Sequence, residues 1–412
     1  MSNTLKLGNG KWATGKDTLL SFSDTNNNYK PLPFSFSRAS SATVVNKDGL
    51  IETVGSGEAR IDFKDNTKGA LLLEPSRTNI ITYSSDFPRT YWTKSGASVV
   101  SGFVSPKGDL SAFKLVENSS NSSHSLQSPF VSGASGADTF SIFAKSDGRF
   151  NFSIVEDAYT GINVIVNLQD GTITTTGQQA NIISLKNGWY RIDVTRADNS
   201  NPSRWLISLL DSSNNASYQG DGTSGVYIYG AQLEVGSYAT SYIPTSGQAN
   251  GVTRVADVCN NGGNEQVINS TEGVFYFEGS ALADDGTNRF LSLNDGTTNN
   301  YIYFRYVSTS NQYLFRTQVG GVTVNTLSGF LSDTTQNHKF AFKFKSGDYA
   351  MWVDGVEISI DTSSTIFPSN TLSNLQYSFP TDEGGGFQSN TRDLRVYNTA
   401  LTDAELQALT TI

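Results

Sequence analysis

The sequence feature that most constrains the fold is a long succession of short segments in which apolar and polar residues alternate. Gly, Asn and Asp separate these segments, which are clearest after about residue 138. Because side chains of a strand point alternately to its two faces, a period of two is typical of strands with one buried face. Examples are DTFSIFAKSD, INVIVNLQDGTITTTG, ANIISLKNGWYRIDVTRAD, VYIYGAQLEVG and HKFAFKFKSGDYAMWVDGVEI. Such strands predict an all-β chain of antiparallel β-sandwich or jelly-roll domains.

Turn residues between these segments predict hairpins at defined places. The pairs Asp170-Gly171, Asn187-Gly188 and Asp354-Gly355 each stand between two alternating segments. Asp-Gly and Asn-Gly adopt the positive φ angles that tight hairpin turns require. They therefore fix the register of the strands on either side.

One short helix is predicted close to the C-terminus. Thr402 and Glu405 have the spacing of a capping box. Leu401, Leu406 and Leu409 supply an apolar stripe for one face of the helix. The rest of the chain is expected to be strands and turns.

Length and composition agree with several β-domains. The chain has 412 residues, and single hydrophobic cores stop growing at about 250 to 300 residues. Only 16% of the residues are charged, and 38 are glycine. The surface is therefore expected to carry mostly hydroxyls and amides.

The pattern divides the chain into four regions. We predict an irregular N-terminal attachment segment with short strands, a first β-domain, a linker and a second β-domain, at residues 1–81, 82–247, 248–265 and 266–412. Residues 1–33 contain apolar side chains too sparse to form a core of their own, so this segment is expected to order only against a partner. These side chains are Trp12, Leu19, Leu20 and Phe22.

Charged residues near the end of the N-terminal segment suggest a structural role. Arg38, Arg60 and Arg77 are candidates for satisfying buried carbonyl groups, and Glu74 could pair with Arg77 across a proline. The alternative, a catalytic role for these charges, has less support.

Charge and cysteine content exclude several classes of function. The net charge of −9 is unfavourable for binding nucleic acid or an anionic membrane surface. The lone Cys259 cannot form an intramolecular disulfide. No run approaches 18 apolar residues, and the N-terminus lacks an apolar signal core. We expect synthesis in a cytosol without a conventional export signal and no membrane insertion.

An ordered set of motifs resembles a module of bacteriophage tail, fibre and other virion appendage proteins. The motifs are SFSRASSATVVNKDGLIE, ARIDF, ALLLEPSRTNII, NGWYRIDVT, YIYGAQLEVGSYATSYIPTSG and VTRVADV, and the resemblance covers about Ser35 to Val258. It implies a carbohydrate-binding jelly roll at 82–247 and virion partners for the N-terminal segment. Fibres are usually threefold, so it also implies a homotrimer. RDLRVYNTALTDAEL resembles the closing strand and helix of concanavalin-A-like (laminin-G-like) sandwiches.

Catalytic groups are poorly represented. The two histidines, His124 and His338, lie in different predicted domains, and no Gly-x-Ser-x-Gly motif is present. Concanavalin-like glycosidases place carboxylates alternately on one strand, and Glu272, Glu278 and Asp284 lack that spacing. We therefore predict that the chain is not an enzyme, with a polysaccharide depolymerase as an alternative.

Sugar binding requires aromatic faces beside amides, hydroxyls and a few charges. The candidate residues are Tyr159, Trp205, Tyr301, Tyr303 and Arg305. Tyr301 and Tyr303 share one face of a strand by parity, so they form either a stacking platform or part of a core.

Oxygen ligands for calcium are available at Asp284, Asp285 and Asp295. Asp-Gly pairs are also ordinary turn residues, so these carboxylates could equally stabilise turns.

These observations predict a virion appendage, a fibre or a tail or head decoration, that attaches to host surface glycans. The predicted location is the virion, after synthesis in the host cytoplasm. A purely structural decoration without glycan binding is the first alternative, and a depolymerase is the second.

Overall fold

A computed structural model describes residues 4–25, 28–131, 136–156, 162–175, 179–197, 202–381 and 386–412. Within these ranges nearly all regular structure is β, arranged in antiparallel sheets, and the single α-helix is α1 (Asp403–Thr410). The predicted all-β class is therefore confirmed. No helix in these ranges has the length and apolar character needed to span a membrane.

The strands are numbered in chain order. The first are β1 (Thr4–Gly8), β2 (Thr14–Gly15), β3 (Thr18–Thr25), β4 (Asn28–Ser37), β5 (Ala42–Val45), β6 (Ile51–Val54), β7 (Arg60–Asp62), β8 (Ala70–Leu73), β9 (Arg77–Asn79), β10 (Thr93–Ser95), β11 (Ala97–Phe103) and β12 (Ala112–Glu117). They are followed by β13 (Asn121–Ser123), β14 (Ser125–Gln127), β15 (Asp138–Asp147), β16 (Asn151–Glu156), β17 (Ile162–Asn167), β18 (Thr172–Thr175), β19 (Gln179–Ser184), β20 (Tyr190–Arg196), β21 (Trp205–Leu209), β22 (Ser217–Gln219) and β23 (Gly225–Val235). The last are β24 (Val252–Arg254), β25 (Val258–Asn260), β26 (Glu272–Ala281), β27 (Arg289–Asn294), β28 (Tyr301–Tyr306), β29 (Gln312–Val319), β30 (Val322–Phe330), β31 (His338–Lys345), β32 (Tyr349–Val353), β33 (Val356–Asp361), β34 (Asn374–Gln376) and β35 (Ser389–Tyr397).

The strands belong to two compact units, and neither unit is one continuous stretch of chain. Unit 1 comprises Met1–Ser41, Val54–Ser76 and Val255–Ile412. Unit 2 comprises Ala42–Thr53 and Arg77–Arg254. This division differs from the four consecutive regions predicted from the sequence.

Unit 1 is a sandwich of two sheets. The larger sheet has the order β25-β4-β3-β1-β35-β26-β31-β32-β33, with β2 beside β3, β8 beside β35 and β7 beside β8. The smaller sheet has the order β30-β29-β28-β27-β34. Aromatic side chains from the two sheets meet between them, for example Phe277 against Phe304 with ring centroids 5.4 Å apart. Apolar burial between two sheets is what the alternating pattern predicts.

The N-terminal strands of unit 1 correct the prediction of an irregular attachment segment at 1–81. Strand β1 pairs with β3 on one side and with β35 on the other, so Leu5 lies opposite Val396. Leu5 and Leu7 are 0% and 2% exposed. The segment is too sparse to form its own core, but it completes a core whose other side chains come from the distant C-terminal part of the chain.

A buried ion cluster in unit 1 joins four charged residues from different sequence motifs. Asp257 accepts hydrogen bonds from Arg38 (2.9 Å), from the backbone of Glu74 (2.8 Å) and from Arg60. Arg60 also donates to the Glu74 carboxylate. Burial works to lower the pKa of Arg60, but the charges of Glu74 and Asp257 outweigh it and raise that pKa, so the guanidinium stays charged.

The cluster supports the structural interpretation of these charges. Arg38 additionally donates to the carbonyl oxygens of Ser40 (2.9 Å) and Gly55 (2.6 Å), as predicted. Glu74 is paired with Arg60. The Nε atom of Arg77 lies 3.9 Å from a carboxylate oxygen of Glu234 in unit 2.

Unit 2 is a second two-sheet sandwich. One sheet has the order β10-β14-β21-β16-β17-β18, and the other has the order β11-β12-β23-β15-β20-β19. Phe140 of β15 stacks on Trp205 of β21 with ring centroids 5.0 Å apart, which joins the two sheets at the core. The predicted linker at 248–265 is not a simple connection, because β24 pairs with β9 and β25 pairs with β4.

The predicted turns and the predicted helix are found. Asp354 and Gly355 have φ angles of 50° and 82° and connect β32 to β33. The capping box of α1 is complete, because Thr402 accepts from the backbone of Glu405 while the Glu405 carboxylate accepts from the backbone of Thr402. Leu406 is fully buried against the outer face of the larger sheet of unit 1.

Candidate functional site

One cavity of unit 2 lies on the outer face of the sheet that contains β21. Ser125, Ser208 and Ser153 stand directly opposite one another on β14, β21 and β16 and form a row across the sheet. Their strand neighbours Leu126, Ile207 and Ile154 are buried in the core, so the serines point to the other face. Neighbouring strands are about 4.8 Å apart, and the hydroxyl groups repeat at that spacing.

A second row runs beside the serines. Leu206 and Val155 form its centre, and the amide side chains of Gln127 and Asn163 lie at its two ends. The two rows form the floor of a cavity of about 390 Å³, and the described residues that line it are all uncharged. We call this surface the serine cleft.

Only a small part of each serine reaches the cavity, since Ser125, Ser153 and Ser208 are 6%, 4% and 4% exposed. Within the described ranges, the side chains of Ser125, Ser153 and Ser208 make no hydrogen bond to another residue, and they are not sealed from the cavity that they line. An uncharged surface of hydroxyls, amides and a narrow apolar strip can hydrogen-bond a polar ligand while covering its apolar patches. The sequence did not reveal this cleft. Alternation shows only that each serine faces outward, whereas the alignment of the three serines depends on strand register.

A second polar surface is the outer face of the smaller sheet of unit 1. Tyr301, Tyr303 and Arg305 alternate along β28 with Ile302, Phe304 and Tyr306, which belong to the core. The outward residues have cross-strand neighbours on both sides: Asn294 and Gln318 for Tyr301, Ser292 and Arg316 for Tyr303, and Phe290 and Leu314 for Arg305. We call this surface the arginine face.

The two tyrosines of the arginine face are core residues of a small cluster, and this corrects their predicted role as a stacking platform. Tyr301 and Tyr303 are 4% and 2% exposed. Phe379 packs against them with centroid distances of 5.7 and 6.0 Å, and against Phe290 at 5.3 Å. A sugar ring cannot stack on faces that Phe379 already covers. Of the three predicted residues on this strand, Arg305 alone keeps substantial exposure.

The other two predicted sugar-binding residues lie elsewhere. Trp205 is 0% exposed and stacks on Phe140 in the core of unit 2, so its position contradicts a sugar-binding role. Tyr159 lies outside the described residues.

The three predicted calcium ligands are engaged separately in turns. Asp285 binds Arg289 at 2.9 Å, and Asp284 accepts from Ser310 and from the backbone of Asn311. Asp295 accepts from Thr297 and Asn300 at 2.7 and 2.8 Å. Among the described residues, no group of three or more His, Cys, Asp or Glu side chains is placed to hold a metal ion. These contacts favour the turn interpretation over a calcium site.

The histidines are used structurally. His124 is fully buried in unit 2, with Nδ1 2.6 Å from the carbonyl oxygen of Gly96. His338 in unit 1 lies 2.5 Å from a carboxylate oxygen of Asp354. Neither lies in the serine cleft or on the arginine face.

One carboxylate pair was missed by the sequence analysis. Glu278 of β26 lies directly opposite Asp393 of β35, beside a cavity of about 330 Å³ in unit 1. Burial raises the pKa of Asp393, against the opposing effect of Arg395, which binds both of its carboxylate oxygens. The two residues are far apart in sequence, so spacing along one strand could not reveal them.

Comparison with known proteins shows likeness to parts of several solved structures. No family model and no curated protein matches the chain. The Ruminococcus gnavus IT-sialidase CBM40 bound to α2,3-sialyllactose is 14% identical, covering 37% of this chain and 93% of that chain, with a TM-score of 0.31. A Caenorhabditis elegans galectin is 12% identical, covering 31% and 83%, with a TM-score of 0.23. A heptameric SAP-like pentraxin from Limulus polyphemus is 11% identical, covering 34% and 70%, with a TM-score of 0.27.

Proposed function

We propose that the protein attaches to surface glycans by binding neutral saccharides in the serine cleft of unit 2. The observation that carries this proposal is the row formed by Ser125, Ser208 and Ser153 on an uncharged floor. A neutral saccharide presents hydroxyl groups at its edges and C–H groups on its ring faces. The serines and end amides suit the hydroxyls, and the strip of Leu206 and Val155 suits the C–H groups.

The absence of charge in the cleft selects among ligands. A phosphate-rich ligand requires cationic partners, and within the part of the chain that the structure describes no charged residue lines this cavity. The free energy cost of desolvating a neutral polysaccharide is small when every hydroxyl that it buries forms a hydrogen bond with another hydroxyl or an amide.

The biological setting that we propose is a virion appendage. Its support is the ordered set of sequence motifs from Ser35 to Val258, and the virion location and a homotrimer are parts of the same proposal. Individually weak sites repeated on a particle give strong attachment through multivalency. Mass spectrometry of purified phage particles tests the location, and analytical ultracentrifugation tests the trimer.

Glycan binding is tested with the full chain on an array of bacterial surface polysaccharides. Ser208→Tyr fills the centre of the cleft and should abolish binding. Ser208→Ala removes one hydroxyl and should weaken binding about two- to tenfold. The matched controls are Ser98→Tyr and Ser98→Ala, at an exposed position of β11 in the other sheet of unit 2.

Two results would reject the cleft. Wild-type protein that binds no glycan would favour a purely structural decoration. Glycan binding that survives Ser208→Tyr would place the site elsewhere.

A depolymerase is the second candidate function, and the opposed carboxylates of Glu278 and Asp393 favour it. Paired carboxyl groups with different environments can divide acid and base roles in glycoside hydrolysis. This function predicts release of reducing sugar from a bound polysaccharide and loss of that release in Asp393→Asn. Glycan binding without sugar release would reject it.

A further inference from the structure

We propose that Arg305 and Arg316 on the arginine face of unit 1 bind the carboxylate group of an acidic sugar. This second site differs in ligand chemistry from the serine cleft and does not depend on it. The proposal concerns saccharides that carry a carboxylate, such as uronic acids.

Arg305 is held by aromatic rings and has no counter-ion among the residues that the structure describes. Its guanidinium carbon lies 5.4 Å from the ring centroid of Phe290 and 5.9 Å from that of Tyr303. Its Nε is buried and has no hydrogen-bond partner among the described residues, and no carboxylate in those ranges pairs with it. A half-buried cation held by aromatic rings loses part of its hydration, so an anionic ligand gains more from pairing with it than with an exposed arginine.

Arg316 places a second guanidinium beside the first. Arg305 lies opposite Leu314, so Arg316 is its diagonal neighbour on β29. Diagonal neighbours in an antiparallel pair are about 7 to 8 Å apart, within reach of long side chains that converge on one ligand. Arg316 donates from Nε to the hydroxyl of Thr326 at 3.1 Å, and it too has no carboxylate partner in the described ranges. Guanidinium groups bind carboxylates through paired hydrogen bonds.

The surroundings favour a sugar acid over a free anion. On the next strand, Thr326 lies opposite Arg316 and Ser328 lies opposite Leu314. Thr326 and Ser328 add exposed hydroxyls on β30.

The overall charge makes this arginine pair distinctive. The chain has a net charge of −9, so the two arginines are not part of a generally basic surface. An acidic polysaccharide would be repelled by most of the molecule and attracted at this face. Binding there should weaken as salt screens the charges, since the screening length falls from about 10 Å at 0.1 M salt to about 3 Å at 1 M.

The test compares methyl β-glucuronide with methyl β-glucoside, using the full chain and saturation-transfer difference NMR. The two probes differ only in the carboxylate. We expect the glucuronide to bind at the arginine face. Its affinity should fall about tenfold or more in Arg305→Gln and in Arg316→Gln. The control is Arg89→Gln, because Arg89 is an exposed arginine of unit 2 that pairs with Asp86 at 2.6 Å.

Several results of this experiment would overturn the proposal. Glucuronide binding that persists in Arg305→Gln, or an equal affinity for the neutral glucoside, would overturn the proposal. Acetate or inorganic phosphate binding as tightly as the glucuronide would reduce the site to a simple anion site and overturn the saccharide assignment. Ser208→Tyr should leave glucuronide binding intact, so failure of the serine cleft and failure of this site are distinguishable. Circular dichroism of each variant verifies that it is folded.

Discussion

At the scale of single residues, Asp257 is the centre of the buried ion cluster in unit 1. Its two carboxylate oxygens receive hydrogen bonds from Arg38, Arg60 and the backbone of Glu74. Removing one partner from a buried cluster leaves uncompensated charge, which costs far more than the loss of an exposed ion pair. The sequence motifs that contain these residues thus supply a structural network.

We predict that Asp257→Asn lowers the free energy of unfolding of unit 1 by about 3 to 5 kcal/mol. The control is Asp65→Asn, because the Asp65 carboxylate is 59% exposed in its pair with Lys64. Chemical denaturation, followed by circular dichroism and by labelling of Cys259, measures the free energy of unfolding of both variants. Burial and the Asp257 charge raise the pKa of that thiol, so it should react only after unit 1 opens. Equal stability of the two variants would contradict the role of the cluster.

Glu117 makes a pH-dependent contribution to the stability of unit 2. It accepts hydrogen bonds from Arg149 at 2.6 Å, from the Tyr218 hydroxyl at 2.6 Å and from the backbone of Asp221 at 2.8 Å. Burial alone would raise the pKa of Glu117, but these interactions outweigh it and hold the pKa below its ordinary value of 4.5.

Because the pKa is lower in the folded state, Glu117 stabilises unit 2 fully above its unfolded pKa, and this stability is lost as the pH falls through the folded value. We predict that Glu117→Gln reduces stability at pH 7 and flattens its pH dependence below about 4.5. Denaturation midpoints measured between neutral pH and pH 2.5 provide the comparison. A variant whose stability falls with acid as steeply as the wild type would show that other groups dominate.

Among the strands, the position of β1 distinguishes two interpretations of the N-terminal segment, a strand of the sheet and a detached anchor. It lies between β3 and β35, with Leu7 buried on the core side and Lys6 on the other face. A detached anchor would have no effect on stability when its apolar residues are changed. In a strand in the sheet interior, the same changes would lower stability as they do in any core strand.

We predict that Leu7→Ala lowers the free energy of unfolding of unit 1 by about 2 to 5 kcal/mol, as is usual for a buried leucine. Lys6→Ala, on the opposite face of the same strand, should cost less than about 1 kcal/mol. The same denaturation assay with Cys259 labelling compares them. A Leu7→Ala protein as stable as the wild type would restore the interpretation of residues 1–33 as an anchor.

At the scale of the whole molecule, the division into two discontinuous units explains why the predicted domain boundaries differ from the structure. Local alternation locates strands but carries no information on which strands pair. Strand β1 meets β35, which lies at the other end of the chain. The cluster of Arg38, Glu74 and Asp257 likewise joins residues from three separate stretches. Isolated residues 266–412 would therefore lack several strands of their own sheet.

The all-β class, the Asp354-Gly355 hairpin and the capped helix α1 could be predicted from the sequence, because each depends on interactions between near neighbours in the chain. The tertiary structure alone decided the partners of β1, the serine row and the burial of Tyr301 and Tyr303. Parity placed the two tyrosines on one face correctly, but the covering residue Phe379 comes from a distant segment. Ser125, Ser153 and Ser208 become neighbours through strand register, which depends on long-range pairing and on the packing of whole sheets.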